Sequence, residues 1–147
     1  MGYFSALDVS ASGLTAQRLR MDTISQNIAN ANTTRTENGT PYRRKVVEFE
    51  EKSPSTPFSQ YLSESSRDRI AGNGVRVSRI VEDQSDFRKV YDPGHPDADV
   101  DGYVHMPNVD ILTEMVNMIS ATRSYEANVT AINTTKGMAV KALEIGK

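Results

Sequence analysis

Apolar residues recur at alternating steps of three and four positions at both ends of the chain. Residues with this spacing lie on one face of an α-helix, so each row predicts a helix with an apolar stripe. The N-terminal row includes Leu7, Leu14, Met21 and Ile28, and it predicts a helix from about residue 6 to residue 31. The C-terminal row runs Ile111, Met115, Met118, Thr122, Tyr125, Val129, Ile132, Lys136, Ala139 and Leu143. Because the alternation is sustained along the whole row, it favours coiled-coil packing over an ordinary amphipathic helix.

The C-terminal helix also carries signals for its two ends. Asn108 is the predicted N-cap, and Asp110 stands in the first turn, where a carboxylate interacts favourably with the helix dipole. Gly146 predicts the end of the helix, because glycine readily adopts the left-handed conformation that follows a last helical turn.

Both predicted helices carry further apolar residues outside their rows. Leu19 and Ile24 are examples in the first helix, and Leu112, Val116 and Ile119 in the second. A single helical partner covers only one stripe, so these extra residues need additional neighbours. The two terminal helices therefore indicate a subunit that assembles with other chains.

The region between the helices has a different composition. It holds all six prolines of the chain, and proline disrupts helix interiors. Four short runs rich in β-branched and aromatic residues predict strands over residues 42–49, 74–81, 87–91 and 102–106. A Ser/Pro-rich stretch at about residues 52–66 predicts a mobile loop.

The predicted fold class is α+β and mainly helical. Residues 1–33 form an N-terminal axial helix, residues 34–108 a small β-rich domain, and residues 109–147 a C-terminal axial helix. A β-domain of this size buries little apolar surface by itself, so we expect it to lean on the helices.

Composition and charge exclude several classes of function. The chain has 147 residues, 17 Lys and Arg against 19 Asp and Glu, and no cysteine. The absence of cysteine excludes a disulfide framework, a thiolate metal site and a cysteine nucleophile. A net charge of −2 offers no broad basic surface to nucleic acid. No apolar run reaches the roughly 20 residues that span a bilayer, and the first residues lack the pattern of a cleaved secretory signal, so we expect neither membrane insertion nor a removed leader.

The acidic segment Asp97-Ala-Asp-Val-Asp-Gly102 is the sharpest metal-like motif. Asp97, Asp99 and Asp101 match the first ligand positions of an EF-hand calcium loop. Position 12 of that loop falls on Asn108, which cannot supply the bidentate carboxylate, so an acidic turn is favoured over a calcium module and no metal or other cofactor is predicted.

His95 and His105 are the only histidines, and with Asp97 they are the one candidate acid–base group. No metalloprotease, serine-hydrolase or phosphate-loop motif accompanies them. A hydrolase stays an alternative that few residues support, and no catalytic residue is predicted.

Both ends of the chain carry a family resemblance. The stretch Ser-Gln-Asn-Ile-Ala-Asn-Ala-Asn-Thr-Thr at residues 25–34 resembles the N-terminal signature of the bacterial flagellar axial proteins, a family of rod, hook and hook-associated proteins. Residues 90–109 and 114–129 are similar to segments typical of its proximal rod members. The signature positions are Asn27, Ala29, Asn30, Asn32, Thr33, Asp92, Pro93, Gly94, His95, Pro96 and Asn108.

This resemblance implies a structural protein and no enzyme. It implies that the terminal helices pack into an inner tube of coiled helices, that the middle domain lies outside, and that the tube is part of the drive shaft crossing the periplasm. It also implies export, unfolded, through the flagellar type III apparatus and polymerisation at the growing tip. The expected assembly positions are Leu7, Leu14, Met21, Ile28, Ile111, Met115, Met118, Tyr125, Val129, Ile132 and Leu143. The implied neighbours are a second proximal rod protein, the distal rod protein, the MS-ring-to-rod adaptor and a rod cap.

Overall fold

Two long helices and two small β-ribbons make up the described chain. The structure, a computed structural model, describes residues 3–52 and 73–145. The elements in chain order are α1 (Tyr3–Ala29), β1 (Lys45–Glu51), β2 (Val75–Glu82), β3 (Arg88–Tyr91), β4 (Tyr103–Met106) and α2 (Ile111–Ile145). The predicted fold class of long terminal helices flanking a small β-rich middle is confirmed. Residues 53–66 of the predicted Ser/Pro loop and the predicted stop at Gly146 lie outside the described residues.

The strands pair as two separate ribbons, β1 with β2 and β3 with β4. The N–H of Lys52 donates to Gly74 O at 3.0 Å, and the N–H of Asp83 donates to Arg44 O at 2.8 Å. Since the end of β1 thus meets the start of β2, and the start of β1 meets the end of β2, these strands run antiparallel. On their exposed surface, carboxylates of β1 pair with guanidinium groups of β2, as between Glu48 and Arg79 at 2.7 Å.

The second ribbon has an inner and an outer face. β3 and β4 are antiparallel, and Val90 lies opposite Val104 while Tyr91 lies opposite Tyr103. Side chains alternate between the faces of a strand, so the buried Val104 marks the inner face and the exposed tyrosine pair marks the outer one. Gly102 adopts the left-handed conformation, with φ of 78°, in the turn before β4.

The chain folds into two compact units. The described residues of the first unit lie within Met1–Arg18, Phe49–Ser78 and Thr122–Lys147. The second unit consists of Leu19–Glu48 and Arg79–Ala121. In the second unit, Ala31, Tyr42 and Val109 form a buried apolar cluster. This cluster joins the segment after α1 to the segments that precede β1 and α2.

In the first unit, α1 meets both β2 and α2. The hydroxyl of Ser12 donates to Val9 O at 2.6 Å and accepts the N–H of Val75 at 3.0 Å. A methyl group added at Gly13 would lie 3.0 Å from the side-chain amide of Asn128, so α1 and α2 pack closely at this glycine.

The cap of α2 corrects a prediction. Asp110 caps the helix, because its carboxylate accepts the N–H groups of Leu112 and Thr113 at 3.3 Å and the Thr113 hydroxyl. The hydrogen bond from that hydroxyl is the main reason why the pKa of Asp110 lies below its ordinary value. Asn108, the predicted N-cap, points its side chain elsewhere, and the prediction was wrong because a tertiary contact outcompetes the local one.

None of the helices in the described part of the chain is both long enough and apolar enough to cross a membrane.

Gly74 and Gly39 allow a test of this packing. Both are left-handed, with φ of 88° and 74°, but an added methyl group at Gly74 would collide with the Ser12 hydroxyl and lie tightly against Val9, whereas at Gly39 it would meet open space. We expect Gly39→Ala to lower the free energy of unfolding by about 1 kcal/mol, the cost of the backbone conformation alone. Gly74→Ala should cost at least about 2 kcal/mol, because the strand must also move away from α1. Urea denaturation of the two variants measures the difference, and equal losses would contradict the close approach of β2 to α1.

Candidate functional site

The side chain of Asn27, in the last turns of α1, is buried with every hydrogen bond made. Its amide NH2 donates to Lys45 O at 2.8 Å and to Glu114 Oε2 at 2.9 Å. Its oxygen accepts the Tyr42 hydroxyl at 3.0 Å and the N–H of Lys45 at 2.9 Å. An amide side chain has two donor hydrogens and one oxygen with two lone pairs, so all four are used here. Asn27 therefore joins the end of α1 to the start of β1 and to α2.

Glu114, in the first turns of α2, is a buried carboxylate surrounded by donors. Only 1% of its surface is exposed. The Nε and Nη2 atoms of Arg44 lie 2.9 and 2.8 Å from Oε1, and the Asn117 amide lies 3.3 Å from the same oxygen. Because the Asn27 amide occupies Oε2, both oxygens are satisfied, which is the condition under which a buried charge is tolerated.

Arg44 connects Glu114 to the end of the β1–β2 ribbon. Its Nη1 lies 3.4 Å from Asp83 Oδ2, and its backbone N–H donates to Asn108 Oδ1 at 2.8 Å. Partial burial by itself lowers the pKa of the guanidinium, but the hydrogen bonds and charges of Glu114 and Asp83 outweigh it, so the pKa of Arg44 is raised. The pKa of Asp83 is lowered, first by the backbone N–H of Ser85 and also by Arg44.

Tyr42 and Asn108 complete the group. Burial is the main cause that raises the pKa of the Tyr42 phenol, and the negative charges of Glu82 and Glu114 raise it further. Asn108 donates to Asp83 O at 3.0 Å and to Ser85 Oγ at 2.8 Å, which holds the turn that follows β2. We call this set of six residues the Asn27–Glu114 network: Asn27, Tyr42, Arg44, Asp83, Asn108 and Glu114.

The acidic turn uses its side chains within the fold. Asp97 accepts the Thr34 hydroxyl at 2.8 Å and lies 3.6 Å from Arg35 Nη1, while Asp99 lies 3.0 Å from Nε2 of His105. In the ranges that the structure describes, no group of three or more His, Asp or Glu side chains is arranged to hold a metal ion. Asp97 and Asp99 of the EF-hand-like motif are thus directed to different partners.

His95 and His105, the candidate acid–base pair, have different polar partners. The Nδ1 atom of His95 accepts the N–H of Asp97 at 3.1 Å, a contact within the turn. His105 lines an open recess of about 410 Å³ on the outer face of the β3–β4 ribbon, with Lys89, Asp99, Asp101 and Tyr103.

The expected assembly positions divide into two sets in the isolated chain. Most are half-buried, namely Leu7, Leu14, Met21, Ile28, Met118, Tyr125, Val129 and Ile132. Ile111, Met115 and Leu143 are exposed. Their contacts with other subunits stay a prediction.

The first turns of α2 present an apolar stripe outward. Leu112, Met115, Val116 and Ile119 are 71%, 53%, 61% and 54% exposed. Residues three and four apart share a helix face, so these four side chains form one continuous surface opposite Glu114. We call these four residues the α2 stripe.

The signature positions have separate structural roles. Asn27 and Asn108 belong to the network, and Asn30 accepts the Thr33 hydroxyl at 3.2 Å in the turn that ends α1. The segment from Asp92 to Pro96 forms a turn in which the N–H of His95 donates to Asp92 O at 3.2 Å. Ala29 and Asn32 are exposed.

Sequence patterns do not predict four members of the network: Tyr42, Arg44, Asp83 and Glu114. Arg44 stands in a run of three cations that is typical of a solvated strand, and Glu114 stands at an ordinary position for an acid in a first helical turn. The one sequence signal for Glu114 is that it is a single carboxylate among the apolar residues at the start of α2.

Comparison with known proteins identifies the class. The family sequence model of the flagella basal body rod proteins matches residues 7–35. The family sequence model of the C-terminal region of the flagellar basal body rod FlgEFG proteins matches residues 100–145. These two matches cover the signature at the end of α1 and the whole of α2. The chain is thus similar to flagellar basal-body rod proteins at both ends.

Curated relatives define the family more closely. A flagellar basal-body rod protein FlgC from Bacillus subtilis is 60% identical, and both chains are covered completely. The FlgC protein of Borreliella burgdorferi is 48% identical over 99% of this chain and 98% of its own, and that of Escherichia coli O6:H1 is 41% identical over the full length of both. The chain belongs to the FlgC family of flagellar basal-body rod proteins. This family is structural and is not a family of enzymes.

Glu114→Gln tests the network. The substitution removes the negative charge of the buried carboxylate and replaces one of its acceptor oxygens by an NH2 group that faces other donors. Arg44 is then left without its buried ionic partner. We expect the free energy of unfolding to fall by about 3 kcal/mol, the lower end for breaking a buried pair, because Arg44 retains some exposure. Thermal and urea denaturation give the value.

Glu48→Gln is the matched control. Glu48 pairs with Arg79 at 2.7 Å, but both side chains are largely exposed. The same chemical change should cost less than about 0.5 kcal/mol there. A loss at Glu114 no larger than at Glu48 would show that the buried carboxylate is not important for stability.

Proposed function

We propose that this chain is a subunit of the proximal rod that polymerises through α1 and α2 and so forms part of the drive shaft that transmits motor torque. The structural role in the basal-body rod follows from membership of the FlgC family. The observation that carries the finer proposal is the α2 stripe, a continuous apolar surface left exposed in the single chain.

The continuity of this apolar surface favours association with another chain. Monomeric soluble proteins rarely expose contiguous apolar patches without an interaction role. Burial of each stripe side chain against a neighbour contributes roughly 1–2 kcal/mol, so even four of them provide a substantial driving force. Neighbouring helices of other subunits are the proposed partners, since a helical rod stacks one subunit face against another.

The C-terminal part of α2 supports the same proposal. Met138, Val140, Leu143 and Ile145 are exposed there as well. Apolar side chains are therefore available near both ends of α2, which suits a helix that contacts neighbours along its length.

Further parts of the proposal come from the family. Residues 34–108 would lie outside the helical tube, and the neighbours would be the second proximal rod protein, the distal rod protein, the MS-ring-to-rod adaptor and the rod cap. Export would proceed through the flagellar type III apparatus, and the subunit would reside in the rod where it crosses the periplasm and cell wall.

Aspartate substitutions in the stripe test the polymerisation. We expect Leu112→Asp and Val116→Asp to fold normally, because both side chains are exposed in the single chain. In cells they should be depleted from purified basal bodies by about 100-fold and abolish swimming, since a charge buried without a partner costs at least about 3 kcal/mol. Quantitative mass spectrometry of basal bodies gives the depletion.

Leu112→Met and Val116→Ile are the controls at the same positions. They keep the apolar surface and should assemble and support swimming. Export is measured separately, as secretion of each variant from a strain that cannot complete its rod. Normal basal bodies with the aspartate variants would refute the stripe as an assembly surface, and failure of every variant to be secreted would refute the proposed route.

A further inference from the structure

In the first three turns of α2, the more polar side of the helix is buried and the more apolar side is exposed. Successive helical residues turn by about 100°, so Glu114 and Ala121 lie roughly 200° and 180° around the axis from Leu112. Glu114, Asn117, Met118 and Ala121 occupy the inward side, where Glu114 and Ala121 are fully buried and Asn117 and Met118 are half-buried. The side with more apolar surface, which contains the α2 stripe, is turned outward. Apolar burial within the chain alone would favour the opposite arrangement.

The Asn27–Glu114 network supplies the interaction that holds this orientation. Glu114 meets Asn27 at 2.9 Å and the fork of Arg44 at 2.8 and 2.9 Å. A rotation that buried the stripe would move the carboxylate away from both donors and leave Arg44 and the Asn27 amide without their acceptor. A single buried polar group can set the register of an apolar helix in this way, because every other orientation leaves it unsatisfied.

We propose that Glu114 is a positioning residue whose network fixes the rotation of α2 and thereby presents the α2 stripe to a neighbouring subunit. The proposal rests on the proposed function of the stripe in rod assembly. It assigns to the network a role beyond stability, since the network selects which face of the helix stays free.

The test replaces the charged pair by apolar residues of similar size. In the double variant Arg44→Met/Glu114→Leu, no charge is left buried and the orientation is decided by apolar burial. We expect this variant to stay folded, with Leu112 and Val116 turned inward and Ala121 turned outward. The double variant Arg44→Met/Glu114→Gln is the control, because its side-chain oxygen still accepts the Asn27 amide and should keep the original orientation.

Single cysteines report the orientation directly, since the chain has none of its own. Val116→Cys and Ala121→Cys are introduced separately into the parent and both double variants, and the rate of maleimide labelling is measured. In the parent and the glutamine control, Cys at 116 should label quickly and Cys at 121 slowly. In the leucine variant the order should reverse, with a change of about tenfold at each position.

Every outcome of the labelling is decisive for the proposal. Unchanged rates in the leucine variant would overturn it, because the orientation would then not depend on the network. Loss of folding in that variant would also overturn it, since the network would then be needed to form the fold and not to choose a face. Circular dichroism distinguishes the two results.

Assembly in cells separates this proposal from the function on which it rests. If the order of labelling rates reverses and the leucine variant is absent from basal bodies, the positioning role of Glu114 and the assembly role of the α2 stripe are both supported. If labelling reverses but rods form and cells swim, Glu114 still positions the helix, and the stripe is not the assembly surface. If the order of labelling rates does not reverse, the positioning role of Glu114 is refuted, whether or not the cells assemble rods and swim.

Discussion

The buried carboxylate of Glu114 is the interaction on which the second compact unit depends. A buried carboxylate requires donors on both oxygens, and Asn27 from α1 and Arg44, the residue before β1, provide them. Neither partner can be removed without leaving a charge or an amide unsatisfied in a site that water does not reach. The end of α1, the start of α2 and the beginning of the first ribbon are therefore held together by one set of hydrogen bonds.

This arrangement leaves apolar surface where a self-contained protein would cover it. The inward side of α2 at its start is occupied by a carboxylate, an amide, an alanine and the half-buried Met118, while Leu112, Met115, Val116 and Ile119 lie outside. Such a division is unfavourable for a monomer and favourable for a subunit, because the exposed stripe is stabilised only when a neighbour covers it. The physical account thus agrees with the structural role of the FlgC family in the basal-body rod.

Local patterns in the sequence predict the elements well and the network only in part. Rows such as Leu7 to Ile28 mark helices because periodicity reflects a face that must be buried, and the four strand runs lie close to the observed strands. The family resemblance marks Asn27 and Asn108 as signature positions, but no local pattern predicts the residues that they contact. Glu114 and Arg44 are 70 residues apart, and no local rule pairs them. Asn108 does not cap α2 as predicted, because its side chain is hydrogen-bonded within the network; Asp110 caps the helix instead.

The most direct test of the account is a side-chain-resolution map of the assembled basal body, obtained by electron cryomicroscopy. We expect Leu112 and Val116 to contact a helix of a neighbouring subunit, while Glu114 of the same chain remains hydrogen-bonded to its own Asn27 and Arg44. Leu112 and Val116 facing solvent in the rod, or Glu114 reaching across to another subunit, would contradict it.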